Sequence, residues 1–209
     1  MFYTHSSLDR ADHLRKEKSN LSRIRLQADS LLIPVWRGQS LTSIPDGSTQ
    51  PKALVLNSIE LRDHDTVFLG LNNSSHYFAV DVSAMDEPER DHLIQRAKSP
   101  GGEQIAGQFN DLRSIGPLLS QDDGSLLAYA RGMIYWNSTT CYCYRCGTAL
   151  QHHFHGHHKQ CTNQDCGYVL FPRTDPAVIM LVIYKPLDGS AEQCLLGRSP
   201  AWPDGVYST

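Results

Sequence analysis

The sequence predicts an α+β chain organised around a small metal-stabilised ribbon, and three observations carry that prediction. Two pairs of cysteines stand in metal-ligand spacing past the middle of the chain. Short apolar runs broken by turn residues precede them, and a continuous β-branched run follows.

The cysteines are Cys143, Cys146, Cys161 and Cys166, arranged C-x2-C, then fourteen residues, then C-x4-C. Zinc takes four thiolate or imidazole ligands at tetrahedral corners, and two short chelate loops joined by a hairpin supply them. Gly147 and Gly167 each follow the second cysteine of a pair. Glycine suits a knuckle that turns with φ > 0 and directs backbone amides at the sulfurs. A pair of disulfides, or unrelated buried thiols, is the alternative reading, and nothing else in the chain looks secreted. Cys141 competes with Cys143 as a ligand, since it makes the first cluster C-x-C-x2-C.

Ahead of the ribbon, residues 1–20 read as a charged tail, loose or helical from Ala11 to Lys18. Residues 21–119 form an α+β module of about 100 residues. Its expected strands are LLIPVW (31–36), ending at Arg37-Gly38, then ALVLNS (53–58) after IPDGSTQP, TVFLGL (66–71) and HYFAVDV (76–82). The last two read as a hairpin across NNSS. Two helices are expected next, Glu87 to Lys98 and Glu103 to Ile115, separated by Ser99-Pro100-Gly101-Gly102.

Residues 120–173 read as a linker helix plus the ribbon. Ser120 and Asp123 form a candidate capping box. Leu126, Leu127, Ala130, Met133 and Ile134 then line one helix to about Trp136, with Tyr135 and Trp136 packing where it enters the ribbon. Residues 174–209 open a third domain. PAVIMLVIY (176–184) reads as a strand buried on both faces, Pro186–Ser190 as a turn, and EQCLLGRS (192–199) as the returning strand. Cys194 is expected to be a small buried core residue. An isolated hairpin is marginal in water, so the chain reads as ending inside that third domain.

Composition narrows the class. The 209 residues are 40% apolar and 20% charged, as in ordinary globular proteins. A net charge of −3 and a pI near 6.3 provide no global basic field for holding nucleic acid. No apolar run reaches the roughly 18 residues of a membrane span. The polar, acid-bearing N-terminus fits neither a signal peptide nor a transit peptide. Free thiols in ligand spacing then point to a reducing, cytoplasmic location.

DLRSIGPLLSQDDGSLLAYARGMIYW leading into CYRCG, the two-pair ribbon, and FPRTDPAVIMLVIY followed by CLLGRS together resemble the NADH pyrophosphatase family. TVFLGLNNSSHYFAVDV resembles that family's N-terminal Nudix-like domain. The resemblance spans about Leu21 to Thr209. It implies a Nudix-like α+β domain, a zinc ribbon, and the first strands of a C-terminal Nudix α/β/α domain. It also implies a homodimer that uses Mg²⁺ or Mn²⁺ to split the pyrophosphate of NADH or NAD⁺ into nicotinamide mononucleotide and AMP. Some members act on NAD-capped RNA.

The departure concerns the chemistry itself. Pyrophosphate hydrolysis needs carboxylates to hold the metals and activate water, and the family supplies them in G-x5-E-x7-R-E-x2-E-E-x-G with one apolar residue between RE and EE. That string is absent here. After Asp175 the acids are Asp188, Glu192 and Asp204, too few and wrongly spaced for a metal-binding helix face. The chain as given is therefore expected to be inactive alone, with no catalytic residue of its own.

Two other features carry expectations. The zinc is expected to be structural, because four thiolates close the coordination shell. Between the pairs, His152, His153, His155, His157 and His158 make up half of the chain's ten histidines. They read either as a second metal site or pH sensor, or as a polar hairpin tip turning at Gly156 with imidazoles facing water. The second is the expectation taken. Phe171 stands immediately before Pro172, where the family resemblance implies an aromatic that stacks on a dinucleotide base across the dimer interface. The alternative is a core or interface filler.

Two functions compete with the hydrolase reading. One is a ribbon that binds nucleic acid or protein, which basic residues interleaved with aromatics should mark. The hairpin offers only Arg145, Lys159 and Arg173 for that purpose. The other is a non-catalytic scaffold that dimerises with or regulates a complete paralogue.

Overall fold

The computed structural model describes Tyr3 and residues 6–16, 18–44, 48–72, 75–175 and 178–209. The expected turns at Pro45–Gly47 and Asn73–Ser74, and the Pro176-Ala177 start of the last apolar run, lie outside the described residues. Two compact units result, Met1–Pro172 and Arg173–Thr209. Among the described residues no helix is long and apolar enough to cross a membrane.

The first unit starts with α1 (Asp12–Arg15) and α2 (Lys18–Ile24), followed by β1 (Ser30–Trp36) and β2 (Gln39–Ser43). Two short strands, β3 (Lys52–Ala53) and β4 (Leu56–Asn57), precede β5 (Thr66–Asn72), β6 (Ser75–Asp81) and α3 (Glu87–Arg96). Then come β7 (Gln108–Asn110), α4 (Leu112–Ile115) and the long α5 (Gln121–Thr139). The main sheet runs β3-β2-β1-β6-β5, with β4 also on β1 and β7 on β2. Its central pair, β1 with β6, is parallel in the register Ile33↔Ala79. β5 and β6 form the expected antiparallel hairpin.

Alternation along the strands sends side chains to two covered faces. Leu32, Trp36, Phe68, Phe78 and Val80 pack on one side beneath Leu21 of α2 and Leu93 of α3. Ile33, Val35, Val67, Leu69 and Ala79 pack on the other beneath Leu127, Ala130, Met133 and Ile134 of α5. The sheet thus lies between helices, and α5 carries the chain from its second face into the ribbon. Ser120 caps α5 by accepting from the Asp123 N–H at 3.1 Å. The Asp123 carboxylate turns to the Ala53 backbone, and burial raises its pKa.

Several expected elements come out differently. Of the two readings of the tail, α1 and α2 match the helical one, and Asp9 and Leu71 exchange backbone hydrogen bonds of 2.9 and 2.8 Å, which places that part of the chain along β5. Gly70, at φ 143, permits this approach, since a Cβ there would clash with the Asp9 carbonyl. ALVLNS divides into β3, β4 and a 3₁₀ turn at Ser58–Leu61. The expected helix over 103–115 becomes β7 and the single-turn α4. Gly107 explains part of this, because a Cβ there would stand 2.5 Å from Leu54 Cδ1, so the chain must lie flat on the sheet. Asp111 then restarts a helix by accepting from the Arg113 N–H at 2.8 Å.

In the second unit, β11 (Ile183–Tyr184) pairs with β12 (Gln193–Cys194), numbered after the three ribbon strands given below, and an isolated antiparallel bridge joins Gly197 to Ser208. Val178 to Tyr184 are exposed, and so is Cys194, against the expectation of a buried strand and a core thiol. A strand buries both faces only when neighbours cover it, and among the described residues β11 pairs with β12 alone.

Candidate functional site

The ribbon consists of β8 (Leu150–His153), β9 (His158–Cys161) and β10 (Val169–Leu170), in the order β10-β9-β8. Each end carries a tight turn of the same design. Gly147 N–H donates to the Cys143 carbonyl at 2.7 Å, and Gly167 N–H to the Asn163 carbonyl at 2.9 Å. Both glycines adopt positive φ, 73° and 53°, as the spacing required.

These turns bring the sulfurs of Cys143, Cys146, Cys161 and Cys166 within 4.8 Å of one another. The Cys143–Cys166 and Cys146–Cys161 pairs stand 3.9 and 3.4 Å apart. A tetrahedral zinc with bonds near 2.3 Å needs edges of about 3.8 Å, so the donor set fits the ion. The N–H groups of Thr148, Asn163 and Tyr168, each two residues past a cysteine, point at the sulfurs of Cys146, Cys161 and Cys166. The Thr148 hydroxyl and N–H hold the Cys146 thiol down to about 6, while burial pushes Cys161 up to about 12. A metal would override the second by taking the thiolate directly. Cys141 stays outside the cluster, exposed, with its Sγ donating to the Ser138 carbonyl at 3.1 Å.

A family model described as an NADH pyrophosphatase-like rudimentary NUDIX domain matches residues 29–136, which covers the mixed sheet and α5 up to the ribbon. The chain belongs to the NADH pyrophosphatase family. Human NAD-capped RNA hydrolase NUDT12 is 33% identical over 96 residues, which cover 43% of this chain and 20% of that protein. Mouse mitochondrial NAD(P)H pyrophosphatase NUDT13 is 29% identical over 151 residues, 70% of this chain and 39% of that protein. Pseudomonas aeruginosa NAD-capped RNA hydrolase NudC is 35% identical over 88 residues, 42% of this chain and 29% of that protein. The chain thus spans between a fifth and two fifths of these relatives.

The hairpin turns at Gly156 as expected, but its histidines do not all face water: His152 is exposed, whereas His153, His155, His157 and His158 are half-buried. Gly156 is buried at φ 86, and a Cβ there would stand 2.7 Å from Val67 Cγ2, so the tip sits directly on β5. His157 bridges three segments: Nε2 meets the Phe68 carbonyl and Nδ1 meets Arg15 Nη1 at 3.2 Å. Arginine can only donate, so Nδ1 accepts and Nε2–H donates, which requires a neutral ring. Burial pushes its pKa down to about 4, consistent with that tautomer. Among the described residues the four-cysteine group is the one cluster suited to a metal, and no histidine joins it.

His158 instead anchors an aromatic group. Its ring stacks on His153 at 5.2 Å and meets Phe154 and Phe171 edge-on at 4.3 and 5.6 Å. Phe171 is 63% exposed, so it is not core filler. Of the three basic residues noted for the hairpin, Lys159 is buried and Arg145 lies over the Tyr168 ring at 4.5 Å. Arg173 belongs to the second unit and pairs with Asp175 at 2.9 Å. The Trp136 ring does reach the ribbon, 5.4 Å from Lys159 Nζ, whereas Tyr135 is exposed.

Proposed function

We propose that this chain is the N-terminal and ribbon portion of an NAD(H) diphosphatase. That enzyme cleaves the pyrophosphate of NADH or NAD⁺ to nicotinamide mononucleotide and AMP, with NAD-capped RNA among its substrates. The observation that supports this best is the coincidence, in one chain, of the rudimentary NUDIX match over 29–136 and a four-sulfur cluster of zinc dimensions directly after it. Cys143, Cys146, Cys161 and Cys166 hold a structural zinc, since a shell of four thiolates leaves no position for water. Phe171 offers an exposed π-face for a dinucleotide base, with the protein acting as a homodimer in a reducing, cytoplasmic compartment.

The pyrophosphate chemistry belongs to Mg²⁺ or Mn²⁺ on a glutamate-rich helix, and this sequence contains no such string. The 209-residue chain is therefore catalytically silent by itself. The test pairs it with a longer protein that carries the Nudix box, each supplied with Mg²⁺ and NADH. The longer protein should release nicotinamide mononucleotide in an EDTA-sensitive reaction, and the short chain none. If the longer, zinc-loaded protein left both NADH and NAD-capped RNA intact, the hydrolase reading would fail.

A further inference from the structure

Phe154 and His153 of the ribbon hairpin line a cleft of about 850 Å³. Arg15 and Lys16 at the end of α1 and Arg62 after the 3₁₀ turn line it as well. The volume lies within the range of sites for small organic ligands. Both ribbon and N-terminal domain contribute to it, within the unit Met1–Pro172.

Charge and shape in this cleft select a ligand. Arg15, Lys16, Arg25 and Arg62 contribute four positive charges, against the two carboxylates of Asp65 and Asp81. Asp12 offsets part of that excess, lying 3.8 Å from Arg15 and 3.0 Å from Lys16. Arg25 is committed to the structure, donating to the Leu61, Arg62 and His64 carbonyls and to the Thr66 hydroxyl. Of the cations lining the cleft, that leaves chiefly Arg62 and Lys16 for a ligand, Lys16 keeping its Asp12 partner.

The aromatic wall is rigid. Phe154 packs edge-on against His158 at 4.3 Å, and His158 stacks on His153 at 5.2 Å, while Phe154 stays 41% exposed. Burial, with His153 second, lowers the His158 pKa, which favours the neutral form of that ring. A fixed π-face next to cationic donors is the chemistry of nucleotide recognition: the base stacks, and the phosphate takes charge-assisted hydrogen bonds. A bare anion makes no use of Phe154. An apolar ligand would desolvate Arg62 and the Lys16–Asp12 pair without compensating either.

We propose that this cleft binds a nucleoside phosphate, with the base on Phe154 and the phosphate on Arg62 and Lys16. Its source is either a free mononucleotide or a nucleotide within single-stranded RNA, which share that chemistry. The inference goes beyond the hydrolase reading and requires neither turnover nor the Nudix box.

Calorimetric titration of the 209-residue chain with AMP, with inorganic phosphate and with a short uncapped oligoribonucleotide tests it. AMP should bind saturably and phosphate far more weakly. Phe154→Ala and Arg62→Ala should each weaken AMP by about 5-fold or more, the scale of a lost stacking or phosphate contact. Phe154→Trp and Arg62→Lys should retain most of the affinity. Variants are compared only where melting temperature matches the parent, and the two conservative variants keep the test open if an alanine fails to fold. An oligoribonucleotide that binds tighter than AMP supports the RNA source, and the reverse supports the free nucleotide. Absence of saturable binding to either probe, or phosphate binding as tightly as AMP, overturns the proposal. So does loss of AMP affinity in Phe171→Ala with none in Arg62→Ala, which moves the base to Phe171. Each of these failures leaves NADH hydrolysis by the longer protein untouched.

Discussion

Lys159 Nζ donates to the Thr140 carbonyl at 2.5 Å, and the same ammonium reaches the Asn137 carbonyl at 2.7 Å. Thr140 is the C-cap of α5, so a strand of the ribbon supplies the cation that the helix terminus calls for. The Lys159 side chain is fully buried, and no solvent competes for these bonds. This clasp fixes the four-sulfur turn to the helix that leads into it.

Lys159→Met should therefore cost about 1–3 kcal/mol, the penalty for leaving buried carbonyls unpaired, although the methionine fills much of the same volume. Thermal unfolding of the metal-loaded protein should drop by roughly 2–10 °C for a chain of this size. An unchanged melting temperature would show that the carbonyls find water instead.

The parts of the fold with strong periodicity were readable in advance, and those held by distant partners were not. β1, the β5–β6 hairpin and α5 announce themselves by apolar residues at period 2 or 3.6, and Ser120 marks the helix start. β2 hides behind the polar string QSLTS, yet Ser40, Thr42 and Ser43 are buried in the sheet. Its partner β7 lies some seventy residues on, where Asn110 Nδ2 donates to Thr42 Oγ1 at 2.9 Å. No local pattern reports such a pairing. At the site, cysteine spacing and the glycines predicted the knuckles because chelate geometry is local. His157 departs from the water-facing expectation, and nothing local marks the burial of Lys159, because their partners Phe68, Arg15 and Thr140 come from other elements. The expected burial of the β-branched 176–184 run fails for the converse reason: it depends on covering strands, and among the described residues β11 pairs with β12 alone.

The sulfur cluster predicts one zinc per chain by elemental analysis. Cys161→Ser should lose the metal, while Cys141→Ser should keep it, because Cys141 bonds to Ser138 outside the cluster. Chelation should unfold the ribbon, as structural zinc carries the folding free energy of small hairpins. Full metal retention in Cys161→Ser would remove that cysteine from the ligand set.

His157 predicts a particular pH response. Its pKa is about 4 when folded, against an ordinary value near 6.5 when unfolded. Between those values the unfolded chain binds the extra proton, so stability rises with pH through this window and falls on acidification. Going from pH 7 to pH 5 should cost on the order of 2 kcal/mol through this residue alone. His157→Gln keeps a donor for the Phe68 carbonyl but cannot titrate. Denaturant unfolding at both pH values should show a smaller acid loss in the variant by about that amount. Equal losses would mean that the tip opens before His157 protonates.

Phe171 yields the most demanding test, and it belongs in a longer protein carrying the Nudix box. The ring is 63% exposed and touches His158 edge-on, so removing it sacrifices little core packing. If a dinucleotide base stacks there, the lost contact is worth about 1–3 kcal/mol, as for aromatic platforms under single-stranded bases. Phe171→Ala should then lower kcat/KM for NADH by roughly 5- to 150-fold, since each 1.4 kcal/mol is tenfold. Phe171→Tyr and Phe171→Trp should be mild, because each keeps a flat π-face. Melting temperature separates the alternatives: a stacking role predicts lost kcat/KM at unchanged stability. A destabilised variant with unchanged kcat/KM would instead assign Phe171 to an interface and end the stacking role.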